Sequence, residues 1–249
     1  MSTTLEPYEP LNVLKPVAAD LWIVDGPTIR FHSGGVGLPF PTRMTVLRLP
    51  HGRLLVHSPT ALTPGLRHEL SRLGSVDWLV GPNRLHYWWL PDWVAAFPDA
   101  QAYLAPRVKR QAGRHIAFQG CPLDRTDGYP WDDAVATLPV FGRFMTEVVF
   151  FHRPSRTLVL TDLIENFESR RLGSRLMRWL VRLGGVEAPT GGMARDLRLT
   201  FPRDELRAAV EQMIAWDPER IIIAHGRWFA RDGAAELRRA FRWLLVSAR

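Results

Sequence analysis

Four short apolar runs in this sequence each end on residues that can bind a metal or move a proton. His57 follows Leu54-Leu55-Val56, and Asn83 and His86 follow Trp78-Leu79-Val80. Asp162 follows Leu158-Val159-Leu160-Thr161, and His225 follows Ile221-Ile222-Ile223-Ala224. Such runs, bounded by turn residues, read as buried strands. In layered α/β proteins functional groups converge in the loops at strand ends. Imidazoles and a carboxylate gathered there would suit zinc, iron or manganese. Taken singly, each residue has a structural explanation: a histidine hydrogen-bonded at a strand end, or Asp162 capping a helix that begins near Leu163. Only the set points to chemistry. His51 lies in a turn and His115 near a loop, and both, with His32 and His68, are read as surface residues; His152, ending a strand before Arg153-Pro154, stays open.

The elements that must position these residues can be read in outline. Residues 1–15 form a lead-in. Residues 21–24 read as a strand stopped by Asp25-Gly26-Pro27, and residues 32–42, with three glycines and two prolines, as a loop. Two strands, 44–49 and 54–57, flank a hairpin turn at Pro50-His51-Gly52-Arg53. A helix over 63–73 has Thr63 as its N-cap and Pro64 at its first position. Strands over 76–80, 100–104, 134–139, 147–152, 157–161 and 221–224 alternate with helices over 90–97, 106–113, 202–215 and 233–246, the last capped by Asp232. Hairpins dominate, which departs from the strict βαβα rhythm of a doubly wound parallel sheet. No glycine-rich phosphate loop is present, which argues against nucleotide binding.

Composition narrows the classes. The 249 residues suit one large domain or two small ones, and an apolar fraction of 46% with 23% charged residues supports a sizeable core. Cys121 is the only cysteine, so no intrachain disulfide and no cysteine-based zinc cluster can form. The first 21 residues contain no apolar core of a signal peptide, and no run of about 18 apolar residues exists, so a cytoplasmic protein is expected. The net charge of +7 comes almost wholly from arginine, Lys15 and Lys109 being the only lysines. Arginine grips carboxylates and phosphates in a bidentate way. These arginines form no base-reading motif, which makes nucleic acid an unlikely partner.

A basic helical insertion is expected over about 165–198. Within 167–183, Leu172, Leu176, Trp179, Leu180 and Leu183 fall at helical spacing after Phe167, interleaved with Arg170, Arg171, Arg175, Arg178 and Arg182. Such a helix caps a site or packs in the ordinary way with its arginines solvated, lies on an anionic membrane surface, or takes a partner helix. The aromatic cluster Tyr87-Trp88-Trp89 with Trp93, beside His86, reads as core packing or as a flat wall for an apolar substrate.

Over roughly residues 21–229 this arrangement resembles the metallo-β-lactamase superfamily. Leu54-Leu55-Val56-His57-Ser58 resembles the early strand that in the family ends in Asp-x-Gly. Leu79-Val80-Gly81-Pro82-Asn83-Arg84-Leu85-His86 sits where H-x-H-x-D-H belongs. Residues 148–162 resemble the later hairpin that delivers an aspartate, and Ile223-Ala224-His225-Gly226 resembles the P-G-H-G ending. Aligning His86 with the last histidine of the motif puts Gly81 and Asn83 at the earlier histidines and Leu85 at the aspartate. Gly142-Arg143 stands near the place of G-H-T. The likeness is to an uncharacterised branch with a degenerate metal motif.

The resemblance implies a single α/β domain, a four-layer αββα sandwich of mixed sheets flanked by helices. It implies metal ligands at His86, Asp162 and His225, with Glu147 standing in for a lost ligand and Asn83 as a weaker one. His86 and Asp162 would carry catalysis. With Leu85 in place of the aspartate, a one-metal site with an open position is expected. The function implied is hydrolysis of a small-molecule ester, thioester, amide or phosphoester by a metal-activated water. The alternative is a metal-free, inactive descendant that binds a ligand or partner, the polar residues holding loops in place. Substrate, metal and oligomeric state are left open.

Overall fold

A computed structural model describes residues 5–33 and 36–246 of the chain. After β1 (Lys15–Ala18) comes a long hairpin of β2 (Leu21–Ser33) and β3 (Val36–Leu49). Asp25-Gly26-Pro27 does not stop β2. A register shift between Gly26 and Ile29 absorbs it as a bulge, and pairing continues out to Ser33 and Val36. Gly26 is required at the bulge, where a Cβ would strike the side chains of Thr42 and Thr60. The loop expected over 32–42 is therefore largely strand. Pro39 and Pro41 are tolerated because β4 pairs with β3 only from Thr45 onward, so no third strand needs their missing N–H groups. The expectation of a surface His32 falls on a side chain outside the described residues.

The hairpin turn at Pro50 leads into β4 (Arg53–His57), with His51 at φ 66°. Then follow α1 (Pro64–Leu73), β5 (Ser75–Gly81), α2 (Leu90–Ala96), β6 (Gln101–Leu104), α3 (Val108–Ala112) and β7 (Cys121–Pro122). Thr63 caps α1 as expected, its hydroxyl accepting the Leu66 N–H at 3.2 Å. Strands β1 to β7 form one sheet in sequence order, antiparallel through β4 and parallel from β4 to β7.

The second sheet takes β8 (Val135–Phe141), β9 (Thr146–His152) and β10 (Thr157–Val159). After these come α4 (Arg175–Gly184), α5 (Arg195–Arg198) and α6 (Arg203–Ala215), then β11 (Arg220–Ile222), α7 (Gly233–Ala240) and α8 (Arg242–Leu245). The strand order is β11-β10-β9-β8, with only the β10–β11 pair parallel. No helix starts at Leu163, so Asp162 is not a cap. Asp232 takes a left-handed backbone and makes no side-chain cap, and the last helix breaks at Phe241.

Strand alternation builds the layers. Val148 and Phe150 join the core shared with Leu55, Leu79 and Trp131, while Val149 and Phe151 join a second core against Leu206, Val210 and Leu237. Ile222 faces the first core, and Ile221 and Ile223 the second. A strand apolar on both faces must be covered on both. The other sheet supplies one cover, and α6 and α7 supply the other. On the far side, α1 and α2 bury Leu66, Leu70, Leu90 and Trp93 against β5. Each such side chain contributes about 1.5–3 kcal/mol on burial. The result is the expected mixed-sheet sandwich with helices outside.

A third, smaller cluster belongs to the insertion. Its helix starts at Arg175 rather than near Phe167, capped by Ser174, with a turn of 3-10 helix at Ser169–Arg171 before it. Met177 and Val181 pack on Leu5, Phe167, Leu172 and Val186, so the lead-in is anchored from Leu5.

Candidate metal centre

β4, β5 and β6 run parallel, as do β10 and β11, so the loops after β4 and β5 gather at one rim, as do those after β10 and β11. The Val148 N–H donates to the Pro82 carbonyl at 2.9 Å and ties the two sheets together there. His86, Asp162 and His225 meet at this rim. One atom from each lies within 4.8 Å of the others, and among the described residues this is the one such group of three or more. His225 Nε2 is 3.1 Å and His86 Nε2 3.4 Å from Asp162 Oδ1, and the two Nε2 atoms are 3.2 Å apart.

The opposite nitrogens of both rings are held. His225 Nδ1 donates to the Pro41 carbonyl at 2.7 Å. A carbonyl only accepts, so Nδ1 carries a proton and Nε2 is the nitrogen turned toward Asp162 and His86. His86 Nδ1 shares a 2.8 Å hydrogen bond with Ser58 Oγ, which aims its Nε2 at the same point. Two imidazole nitrogens and a carboxylate oxygen converge on one point, a nitrogen and oxygen set of the kind that divalent metals take. The donor set therefore suits a divalent metal. Burial works to raise the Asp162 carboxyl, but the charges and hydrogen bonds of His86 and His225 outweigh it and hold it well below the usual carboxylate range.

Glu147 and Asn83, also expected as ligands, stand behind the three converging donors and are bonded to the segments that carry them. Glu147 is fully buried, and its oxygens accept the N–H groups of Thr161 at 2.7 Å, Asp162 at 2.8 Å and Leu163 at 3.1 Å. Burial first, then the Asp162 charge, pushes its carboxyl up to about 7, against the amides that favour the ionised form. Asn83 donates from Nδ2 to Asp162 Oδ2 at 2.5 Å and to Thr161 Oγ1 at 2.9 Å. Its Oδ1 accepts the Leu85 and His86 N–H groups. One asparagine thus sets both the turn carrying His86 and the free oxygen of Asp162.

The remaining histidines divide. His57 is buried against Phe150 and is not one of the three converging donors, and its Nε2 has no hydrogen-bond partner. His152 sits at the opposite end of β9 from Glu147, bonded to Ser155 Oγ at 2.7 Å. His51 and His68 are exposed; His115 is exposed too, and its Nε2 bonds the Trp88 carbonyl at 2.8 Å.

A cavity of about 430 Å³ opens over the centre, within the range of small-molecule sites. Its walls are largely apolar: Ile29, Phe40, Leu85, Met145, Ala194 and Leu197, with Trp88 and Phe144 partly exposed. The aromatic cluster therefore splits, Trp93 and Tyr87 going to the core and Trp88 to the wall. Glu165 and Asp196 also face the cavity. Burial raises the Glu165 carboxyl to about 8; Asp162, Asp196 and Glu147 add to the rise and His225 opposes it.

Sequence reading missed Ser58, Glu165, the Pro41 carbonyl and Arg43. Arg43 is buried and pairs with Asp25 at 2.7 Å. Its Nη1 donates to the carbonyls of Ile223 and Gly226 at 2.8 Å each, fixing the loop that carries His225. Gly226 closes that loop at φ 97°, where a Cβ would run into the Asn166 carbonyl.

Solved structures share this fold at low identity. The metallo-β-lactamase VMB-1 at pH 5.5 aligns with a TM-score of 0.61 and 9% identity, over 98% of this chain and 99% of that one. FIM-1 from Pseudomonas aeruginosa, a metallo-β-lactamase in its mono-zinc form, aligns with a TM-score of 0.59 and 10% identity over the same shares. The chemotaxis sensor ODP, as a peroxy diiron species, aligns with a TM-score of 0.56 and 15% identity, over 93% and 94%. The fold is thus metallo-β-lactamase-like. No curated protein matches the chain in sequence. A family model described as a domain of unknown function (DUF4336) matches residues 32–171, more than half of the sequence, and the chain belongs to that family.

Proposed function

We propose that this chain is a metal-dependent hydrolase of a small ester, thioester, amide or phosphoester, with one divalent cation held by His86, Asp162 and His225. The observation that carries this reading is the convergence of three donor atoms whose outer partners, Ser58, Asn83 and Pro41, already orient them. Metal-ligating side chains are ordinarily held by such outer hydrogen bonds. A zinc, iron or manganese ion bound there supplies Lewis acidity to the scissile group.

The chain's own residues supply the rest. Asp162 stays ionised, so it balances positive charge at the centre through Oδ1 while Asn83 holds Oδ2. Glu165 faces the cavity, and its burial favours the protonated form. It acts as a general acid, passing that proton to the leaving oxygen, nitrogen or sulfur. The apolar walls exclude water and take an apolar portion of the substrate.

A second reading, a metal-free binding protein, draws support from Gly81, Asn83 and Leu85 at positions where the fold family ordinarily carries ligands. Metal analysis by mass spectrometry on protein purified without chelator separates the two. Wild type should carry close to one equivalent, and His86→Ala and His225→Ala much less. A metal-free wild type that cannot be loaded favours the second reading, and equal content in all three proteins sinks the site.

A further inference from the structure

Helix α4 leaves an unusual surface. Apart from its terminal Gly184 it consists only of apolar and arginine residues. At about 100° per residue, its positions sort into three arcs. Met177 and Val181 face inward and are buried. Leu176, Trp179 and Leu183 form an outward stripe, exposed by 61%, 58% and 50%. Arg175, Arg178 and Arg182 line the neighbouring arc and are exposed as well. A helix packed only on its own domain would bury that stripe or make it polar. Three large apolar side chains in a row on a solvent face mark a surface that something covers.

Charge argues for what covers it. Arg182 pairs with Glu187 at 2.9 Å, but among the described residues no carboxylate pairs with Arg175 or Arg178. Beyond Arg182 the positive surface continues into a shallow depression that Arg195, Arg198 and Arg242 also line. Leucines and a tryptophan beside arginines, on a helix without acids of its own, match the boundary between lipid headgroups and acyl chains. No described helix is long and apolar enough to cross a membrane, so contact would be at the surface.

We propose that the outer face of α4 docks the protein on an anionic phospholipid surface, with Leu176, Trp179 and Leu183 entering the interface and Arg175 and Arg178 engaging lipid phosphates. Phe40 and Ala194 pack against the cluster beneath α4 and also line the cavity over the metal centre. Docking would therefore bring the cavity close to the lipid surface. The proposal stands independently of the hydrolytic reading.

The test is cosedimentation of the full chain with vesicles of phosphatidylcholine alone and of phosphatidylcholine mixed with phosphatidylglycerol, at low and high salt. Binding should appear with the mixed vesicles and weaken as salt is added. A combined Leu176→Ser, Trp179→Ser, Leu183→Ser variant should lose it. Arg175→Gln and Arg178→Gln should each weaken it about fivefold. Thermal melts of these surface variants, matched to wild type, separate lost docking from lost folding. No binding to mixed vesicles at low salt overturns the proposal, as does equal binding to phosphatidylcholine alone. So does a wild-type dimer in sedimentation velocity that the triple variant abolishes, because a second copy would then cover the stripe.

Discussion

Glu147 and Asp162 are joined through the backbone. Glu147 Oε2 accepts the Asp162 N–H at 2.8 Å and the Leu163 N–H at 3.1 Å, while Oε1 takes the Thr161 N–H at 2.7 Å. A carboxylate from the start of β9 thus fixes the turn after β10, and Asp162 points at the histidines because its own peptide is clamped.

This clamp is sensitive to chemistry more than to size. Glu147→Gln keeps the shape but sets an NH₂ group against a backbone N–H, so one buried amide loses its acceptor. A loss of about 1–3 kcal/mol in urea unfolding is expected. Glu147→Ala abandons all three amides and should cost more than the glutamine variant. Metal content should fall in both, since Asp162 loses its aim. A glutamine variant as stable as wild type would show that the carboxylate is not needed as an acceptor.

Ser58→Ala tests the outer support of His86. The hydroxyl is the side-chain partner of His86 Nδ1, and removing it frees the ring to rotate. Metal affinity should drop about 10- to 100-fold, with little change in overall stability. Competition with a chromogenic chelator measures this directly. Unchanged affinity would mean that packing alone orients the ring.

The strand ends were legible because burial leaves a strong mark: an apolar run that stops on a polar residue shows where a strand reaches the rim. His86, Asp162 and His225 were found that way. What surrounds them was not. The Pro41 carbonyl that sets the His225 tautomer has no side-chain signature, and Arg43 reads as one more arginine on a strand. The family resemblance points to Glu147 but cannot say whether its oxygens face a metal or three amides. The glycines and prolines of residues 32–42 suggested a loop because local breakers are visible in sequence. The partner strand that holds residues 36–42 extended is visible only in the fold. In α4, helical spacing found the apolar residues but could not tell which ones the protein itself buries.

Arg43→Met should be among the most damaging single changes away from the centre. The guanidinium neutralises Asp25 and satisfies the Ile223 and Gly226 carbonyls in a buried setting. Removing it leaves Asp25 with Lys15 as its one remaining ion-pair partner among the described residues and both carbonyls unpaired. A loss of about 3–5 kcal/mol is expected by chemical denaturation. Because His225 lies between those carbonyls in sequence, metal affinity should fall with it. Stability unchanged within about 0.5 kcal/mol would show that neighbouring groups take over both roles.

His57 makes the fold sensitive to acid. Burial first, with the His86 charge adding, lowers its pKa from 6.5 to about 3. The folded state therefore binds its proton less readily than the unfolded chain does. Between these two values the unfolded chain carries more protons, so stability rises with pH across that window. The contribution is fully present above the unfolded value and is lost as pH falls towards about 3. A shift of that size corresponds to something on the order of 5 kcal/mol across the whole window. His57→Leu, close in volume and without a titrating group, should flatten the dependence, and it also removes the unpartnered Nε2. Urea titrations of both proteins at several points across the window measure the two slopes. Parallel slopes would place the acid sensitivity elsewhere, with the Asp162 carboxylate the next group to examine, since its depressed pKa costs stability only when acid protonates it.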